Sequence, residues 1–273
     1  MIAARLRTPG ALLACGLLGS PLAAQDAPGE APISDNSFLI EEAYNQEPGV
    51  VQHISNFSRA NGGDAWAYSF TQEWPFPGST HQLSYTIPVL NPSGSGTGLG
   101  DIALNYRYQL VADGDDGVHV APRLTFLLPT GDEHHGRGAG GLGIQTNLPL
   151  SVRPRSWLAL HANAGLTWTP SAKDAADETG STLSTNLGGS AIWLLRPRLN
   201  VMLELLWLST EQVVGPDQRA RTDAVLLNPG VRWAFNFQSG LQIVPGVAYT
   251  LGLDSDSGDA LFLYLSFEHP FRH

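Results

Sequence analysis

"DIALNYRYQL", residues 101–110, alternates. Ile102, Leu104, Tyr106, Tyr108 and Leu110 fall on one side; Asp101, Ala103, Asn105, Arg107 and Gln109 fall on the other. A period of two marks an extended strand, because successive side chains point to opposite faces. Alternation alone does not decide which face meets water. A soluble sheet turns its apolar side to a core. A membrane barrel turns that side to lipid and keeps the polar side within.

The same period runs along the rest of the chain. It places Leu83, Tyr85, Ile87 and Val89 on one face, Leu158, Leu160, Ala162, Ala164, Leu166 and Trp168 on another, and Val201, Leu203, Leu205 and Trp207 on a third. These faces carry no charge. The charges fall opposite, at Asp101, Arg107, Arg123, Glu204, Arg232 and Glu268.

Three features choose the barrel. The alternating runs are about ten to thirteen residues long, whereas soluble strands average about five or six and a tilted strand needs ~9–11 to cross a bilayer. Aromatic residues recur near the run ends (Trp74, Trp157, Trp168, Trp193, Trp207, Trp233, Tyr249 and Phe267), as in the two interfacial girdles of a barrel. The connections alternate in length: "RPRS" (153–156), "RPR" (196–198) and "QSG" (238–240) are short, while "TPSAKDAADETGS" (169–181) and "STEQVVGPDQRART" (209–222) are long. Outer-membrane barrels have short periplasmic turns and longer external loops.

These features predict an all-β protein, a transmembrane antiparallel β-barrel of about 12 strands within residues 49–273, starting near Val50 and ending near Phe267. Pro122, Pro229 and Pro245 cannot donate to a ladder and are expected at bulges or strand ends. Residues 25–48 form a separate N-terminal segment. Its "SFLIEEAY" (37–44) is open to three readings: a periplasmic cap, a plug within the lumen, or an extension of the first strand.

Residues 1–24 read as a secretory signal peptide: Arg5 and Arg7, the apolar run "ALLACGLLG", and a small-residue cleavage site after Ala24. A lipoprotein signal using Cys15 is the second reading. With Arg5 and Arg7 removed, 13 basic residues face 25 acidic ones, a net charge of −12, and the only lysine is Lys173. That balance argues against nucleic acid as a partner. Cys15 is the only cysteine, so the mature chain has no disulfides.

"ISDNSFLIEEAYNQEPGVVQHI", "GTGLGDIALNYRYQL" and "PRLTFLLPTGDE" resemble the transporter-like proteins grouped under the meta-pathway of phenol degradation, over roughly residues 33–268. "GLGD" and "LPTGD" are the most specific parts. The resemblance implies a Gram-negative outer-membrane barrel, and the family name implies uptake of aromatic compounds. Barrel-assembly signals end on an aromatic residue; here Phe267 or Phe271 would serve.

Candidate chemistry is sparse. "DEHHGRG" (132–138) gathers Asp132, Glu133, His134 and His135, a set able to hold a divalent metal, but a solvated external loop is the better reading. "GRGAGG" (136–141) matches a dinucleotide fingerprint, yet a strand-like, proline-interrupted run follows it instead of a helix. His53 and Ser55 share one face of the first strand without a third partner. No catalytic, cofactor or metal site is expected, and the chain is not expected to be an enzyme. The lumen set is Asp101, Arg107, His119, Arg123, His161, Glu204, Arg232 and Glu268, read either as a constriction that filters solutes or as mutually satisfied pairs. The expected function is passive passage of small solutes, with outer-membrane lipids, the barrel-assembly machinery and a small-molecule solute as partners. A lipid-modifying barrel enzyme and a purely structural barrel are the alternatives.

Overall fold

The computed structural model describes residues 33, 36–114, 117–255 and 257–270. The signal peptide, Cys15 and Phe271 lie outside the described residues. Twelve antiparallel strands close into a barrel. They are β1 (Val50–Ala60), β2 (Trp66–Pro75), β3 (His81–Asn91), β4 (Ile102–Tyr108), β5 (Arg123–Leu128), β6 (Gly143–Arg155), β7 (Leu158–Lys173), β8 (Thr179–Arg196), β9 (Leu199–Gly215), β10 (Gln218–Trp233), β11 (Gln242–Gly252) and β12 (Ala260–Pro270). Each strand pairs with its neighbour in sequence. The ring closes where β1 meets β12, in unbroken register from Val50↔Pro270 to Ala60↔Ala260.

The predicted inversion of faces is observed. Leu203 and Leu205 are 40% and 50% exposed on the outer wall, while Glu204 between them is 0% exposed. The outward aromatics include Trp157, Trp168, Trp207, Trp233 and Tyr249. A charged side chain facing the bilayer midplane destabilises a barrel by ~2–4 kcal/mol, so this alternation fixes the register of every strand.

Two expected loops prove to be strand. The run 169–181 stays in β7 as far as Lys173 and resumes in β8 at Thr179; the run 209–222 stays in β9 to Gly215 and resumes in β10 at Gln218. These polar residues continue the hairpins beyond the alternating apolar stretch. The sequence hides this because strands standing in water need no apolar face. The first half of the wall is shorter. β4 and β5 hold seven and six residues. Val111–Ala112 pairs with Val118–Val120, which in turn pairs with β6 from Val118↔Val152 to Val120↔Leu150.

The prolines mark ladder breaks. Pro122 separates Val118–Val120 from β5. The β10–β11 ladder lapses between Leu227↔Leu251 and Gly230↔Ala248, at Pro229. It lapses again between Arg232↔Gly246 and Phe235↔Ile243, at Pro245.

The interior differs from the expected polar lumen. Phe38, Ile192, Met202, Val244, Ala248, Phe262 and Tyr264 form an apolar cluster inside the barrel.

Candidate functional site

The barrel interior is occupied by the chain's own N-terminal segment. Ile33 donates its backbone N–H to the Pro197 carbonyl at the short β8–β9 turn. From there residues 36–46 run past the inner faces of β8, β9, β7, β6, β4 and β3 in turn. "SFLIEEAY" (37–44) lies within this stretch, in contact with Ser190, Glu204, Asn163 and Ser151.

Wall side chains hold this segment by its backbone. Glu204 Oε1 accepts from the N–H groups of Phe38, Leu39 and Ile40 at 3.1, 2.7 and 3.0 Å. Its Oε2 accepts from Asn228 Nδ2 at 2.7 Å. Asn163 pairs reciprocally with Glu41: its Oδ1 accepts from Glu41 N–H and its Nδ2 donates to Glu41 O, both at 2.7 Å. The Ser151 hydroxyl accepts from Ala43 N–H at 2.8 Å and lies 2.7 Å from His161 Nδ1. Gln109 Nε2 donates to Ala43 O, and its Oε1 accepts from Asn45 N–H. Gln82 Oε1 accepts from Gln46 N–H. Amide side chains thus do for the segment what a neighbouring strand would do, and its backbone groups are satisfied away from bulk water.

Small inner-wall residues make room. A Cβ added to Gly230 or Gly246 would lie 2.6 Å from the Phe38 ring, and one added to Gly188 would lie 2.4 Å from Ile40 Cδ1. Phe38 stacks against Phe262 and Tyr264 at centroid distances of 5.4 and 5.1 Å.

The sequence-derived lumen set divides into three groups. Arg107, Arg123, His161 and Glu204 all bear on the segment. Arg107 Nη1 lies 3.3 Å from Glu41 and 3.6 Å from Glu42, and Arg123 Nε lies 2.9 Å from Glu41. Arg232 is 1% exposed, and Gln52 Nε2 donates to Glu268. Asp101 and His119 sit at the two ends instead. His119 packs edge-on against Tyr44 at 4.7 Å and bonds the Gly114 carbonyl at 2.7 Å, beside a short turn. Asp101 Oδ1 and Oδ2 accept from Gly131 N–H and Ala139 N–H at 2.9 and 2.8 Å, tying down the external loop 129–142. Glu41, Glu42, Glu73, Asn147 and Asn163 were missed. The paired acids at 41–42 and the inward glycines were the available signals.

At the external end, Arg137 Nη2 donates to Asp132 at 2.9 Å and its Nη1 to the Ser95 carbonyl at 2.8 Å. Thr130 Oγ1 donates to Gly100 O at 2.9 Å. His134 and His135 diverge: one bonds the Ala175 carbonyl, the other Asp132. The Ala175 carbonyl accepting from its ring raises the His134 pKa above the usual imidazole range. Glu133, His134 and Asp177 do approach one another. The Lys173 ammonium, 3.9 Å from Glu133 and 3.6 Å from Asp177, supplies the positive charge there. Gly138 of "GRGAGG" lies against Asp101, where an added Cβ would come within 2.6 Å of Oδ1.

Residues 43–256 match the family described as "Putative MetA-pathway of phenol degradation". The chain belongs to this family. Its two most specific motifs, "GLGD" and "LPTGD", meet in one structure: Asp101 of the first and Gly131 of the second are joined by a hydrogen bond at the external rim. Among solved structures, the chain is similar to an outer membrane channel from Pseudomonas putida F1, at 14% identity and TM-score 0.59, covering 89% of this chain and 100% of that one. It is similar also to the NanC porin, at 10% identity and TM-score 0.54, covering 82% and 100%. No curated protein matches in sequence.

Proposed function

We propose that this family member is a passive channel for small solutes in the Gram-negative outer membrane, with residues 36–46 acting as its plug. Residues 1–24 direct export and are removed, and the barrel-assembly machinery inserts the mature chain among outer-membrane lipids. One observation carries the reading: a barrel with a lipid-facing wall keeps side-chain-lined space on both sides of the segment. One cavity of about 260 Å³ reaches Glu73, Arg107 and Arg123, and another of about 360 Å³ reaches Arg123, Asn163 and Leu206. A segment held by side chains, with no ladder of its own, can leave without breaking the wall. The phenol-degradation description of the family supports a small, aromatic solute class.

The geometry does not favour the lipid-enzyme alternative: Ser55 Oγ has the Tyr68 hydroxyl as its partner at 3.1 Å. His53 instead faces His269, with their Nε2 atoms 3.4 Å apart. The test is planar-bilayer recording of the full mature chain beside a chain lacking residues 36–46. Small, intermittent conductance in the first and large, steady conductance in the second is expected. Equal conductance removes the plug, and silence from both folded barrels removes the channel.

A further inference from the structure

Arg107 of β4 and Arg123 of β5 are direct cross-strand partners, and both point inward. Like charges placed directly opposite each other on a sheet repel, and Arg107 is only 3% exposed. The pair is stable only with an anion between its members. Here that anion is the Glu41 carboxylate. Oε1 lies 3.3 Å from Arg107 Nη1; Oε2 accepts from Arg123 Nε at 2.9 Å and from Asn147 Nδ2 at 2.7 Å. Two guanidinium groups and an amide therefore form a carboxylate cradle on the wall, and its occupant arrives on a strandless segment.

The wall itself holds the Arg123 half of the cradle: Arg123 also donates to Asn105 Oδ1, Thr125 Oγ1 and Gln145 Oε1. Arg107 is held by the segment, donating to Asn45 Oδ1 and to the carbonyls of Glu42 and Tyr44. The adjoining 360 Å³ cavity sets Gln145 and Asn147 on one side and Leu206 and Leu208 on another. Its walls suit a ligand with a charged head and an apolar body.

We propose that the Arg107–Arg123 cradle is a binding site for a small carboxylate solute with an apolar body, which Glu41 fills as an internal stand-in until the solute displaces it. The inference rests on the channel reading for its physiological meaning, although binding is measurable without conductance. A charge-assisted, bidentate grip explains the choice of carboxylate. Competition with a built-in occupant weakens the apparent affinity by the fraction of barrels in which the cradle is free.

Calorimetry on the detergent-folded mature barrel, with benzoate and its neutral counterpart benzamide as probes, tests the site. Benzoate should bind and benzamide should not. Glu41→Gln should tighten benzoate by about tenfold or more, and Arg123→Gln should weaken it by about tenfold or more. Equal binding of the two probes, or a Glu41→Gln barrel that binds benzoate no better than the native one, overturns the proposal. Bilayer currents recorded in parallel separate the two claims: benzoate-selective binding by a barrel silent in every form keeps the cradle and removes the channel.

Discussion

The wall and the segment it encloses follow opposite rules. The wall is periodic and held by backbone ladders, with its apolar side chains turned outward to lipid. The segment has no period and no ladder; side chains of five strands, together with Gln109, grip its backbone, and its apolar residues, Phe38 and Ile40, settle into gaps left by inward glycines. A ladder needs correct register along a whole strand. The segment needs particular side chains at a few separated points, and Glu204 alone takes three of its amides. The wall is therefore robust to single changes within a face, and the segment is sensitive to them.

The largest effect should come from breaking the wall's rule. Leu205→Arg puts a charge against hydrocarbon and should destabilise the folded barrel by ~2–4 kcal/mol, read as a fall in the urea midpoint in lipid vesicles. Glu204→Ala should leave the wall folded but deprive three N–H groups of their acceptor, at a penalty on the order of 2–3 kcal/mol. Proteolysis between residues 36 and 48 should rise sharply while the heat-modifiable gel shift of the barrel persists. Gly246→Leu should expel Phe38 by overlap, for about 1–3 kcal/mol, with the same protease signature. If Glu204→Ala or Gly246→Leu unfolds the whole barrel, the segment is part of the wall's stability and the contrast fails.

The smallest effect lies at the rim. The His134 pKa is raised in the folded protein, first by the Ala175 carbonyl. The contribution of its protonated form to docking loop 129–142 against 174–178 is full below the ordinary histidine pKa and fades as pH rises through the raised one. Protease cutting in loop 129–142 should increase over that rise in the native barrel and become pH-independent in His134→Gln.

The wall was legible in sequence because each strand advertises its faces locally: Leu203, Glu204 and Leu205 suffice to orient β9. The ends of β7 to β10 were not legible, since exposed polar residues such as Gln212 and Arg219 carry no apolar period there. The segment was visible as a leftover, and its place was not. Its partners, Asn163, Ser151 and Glu204, lie more than a hundred residues away, and no local pattern encodes such distances. Arg107 and Glu204 are buried, and what they hold is set by Glu41 and by the amides of residues 38–40. Asp101 shared the polar phase of Arg107 yet sits where its strand begins, so its carboxylate serves a loop.

The central claim is that residues 36–46 sit inside the barrel. Ser37 Oγ and Ser190 Oγ are 2.5 Å apart, and the sequence holds no cysteine after Cys15. The double variant Ser37→Cys/Ser190→Cys, folded in lipid and mildly oxidised, should form its disulfide nearly completely, whereas Ser37→Cys/Leu187→Cys, with the second thiol on the lipid face, should not. Two free thiols in the first variant, both open to a water-soluble maleimide, would place the segment outside and contradict the account.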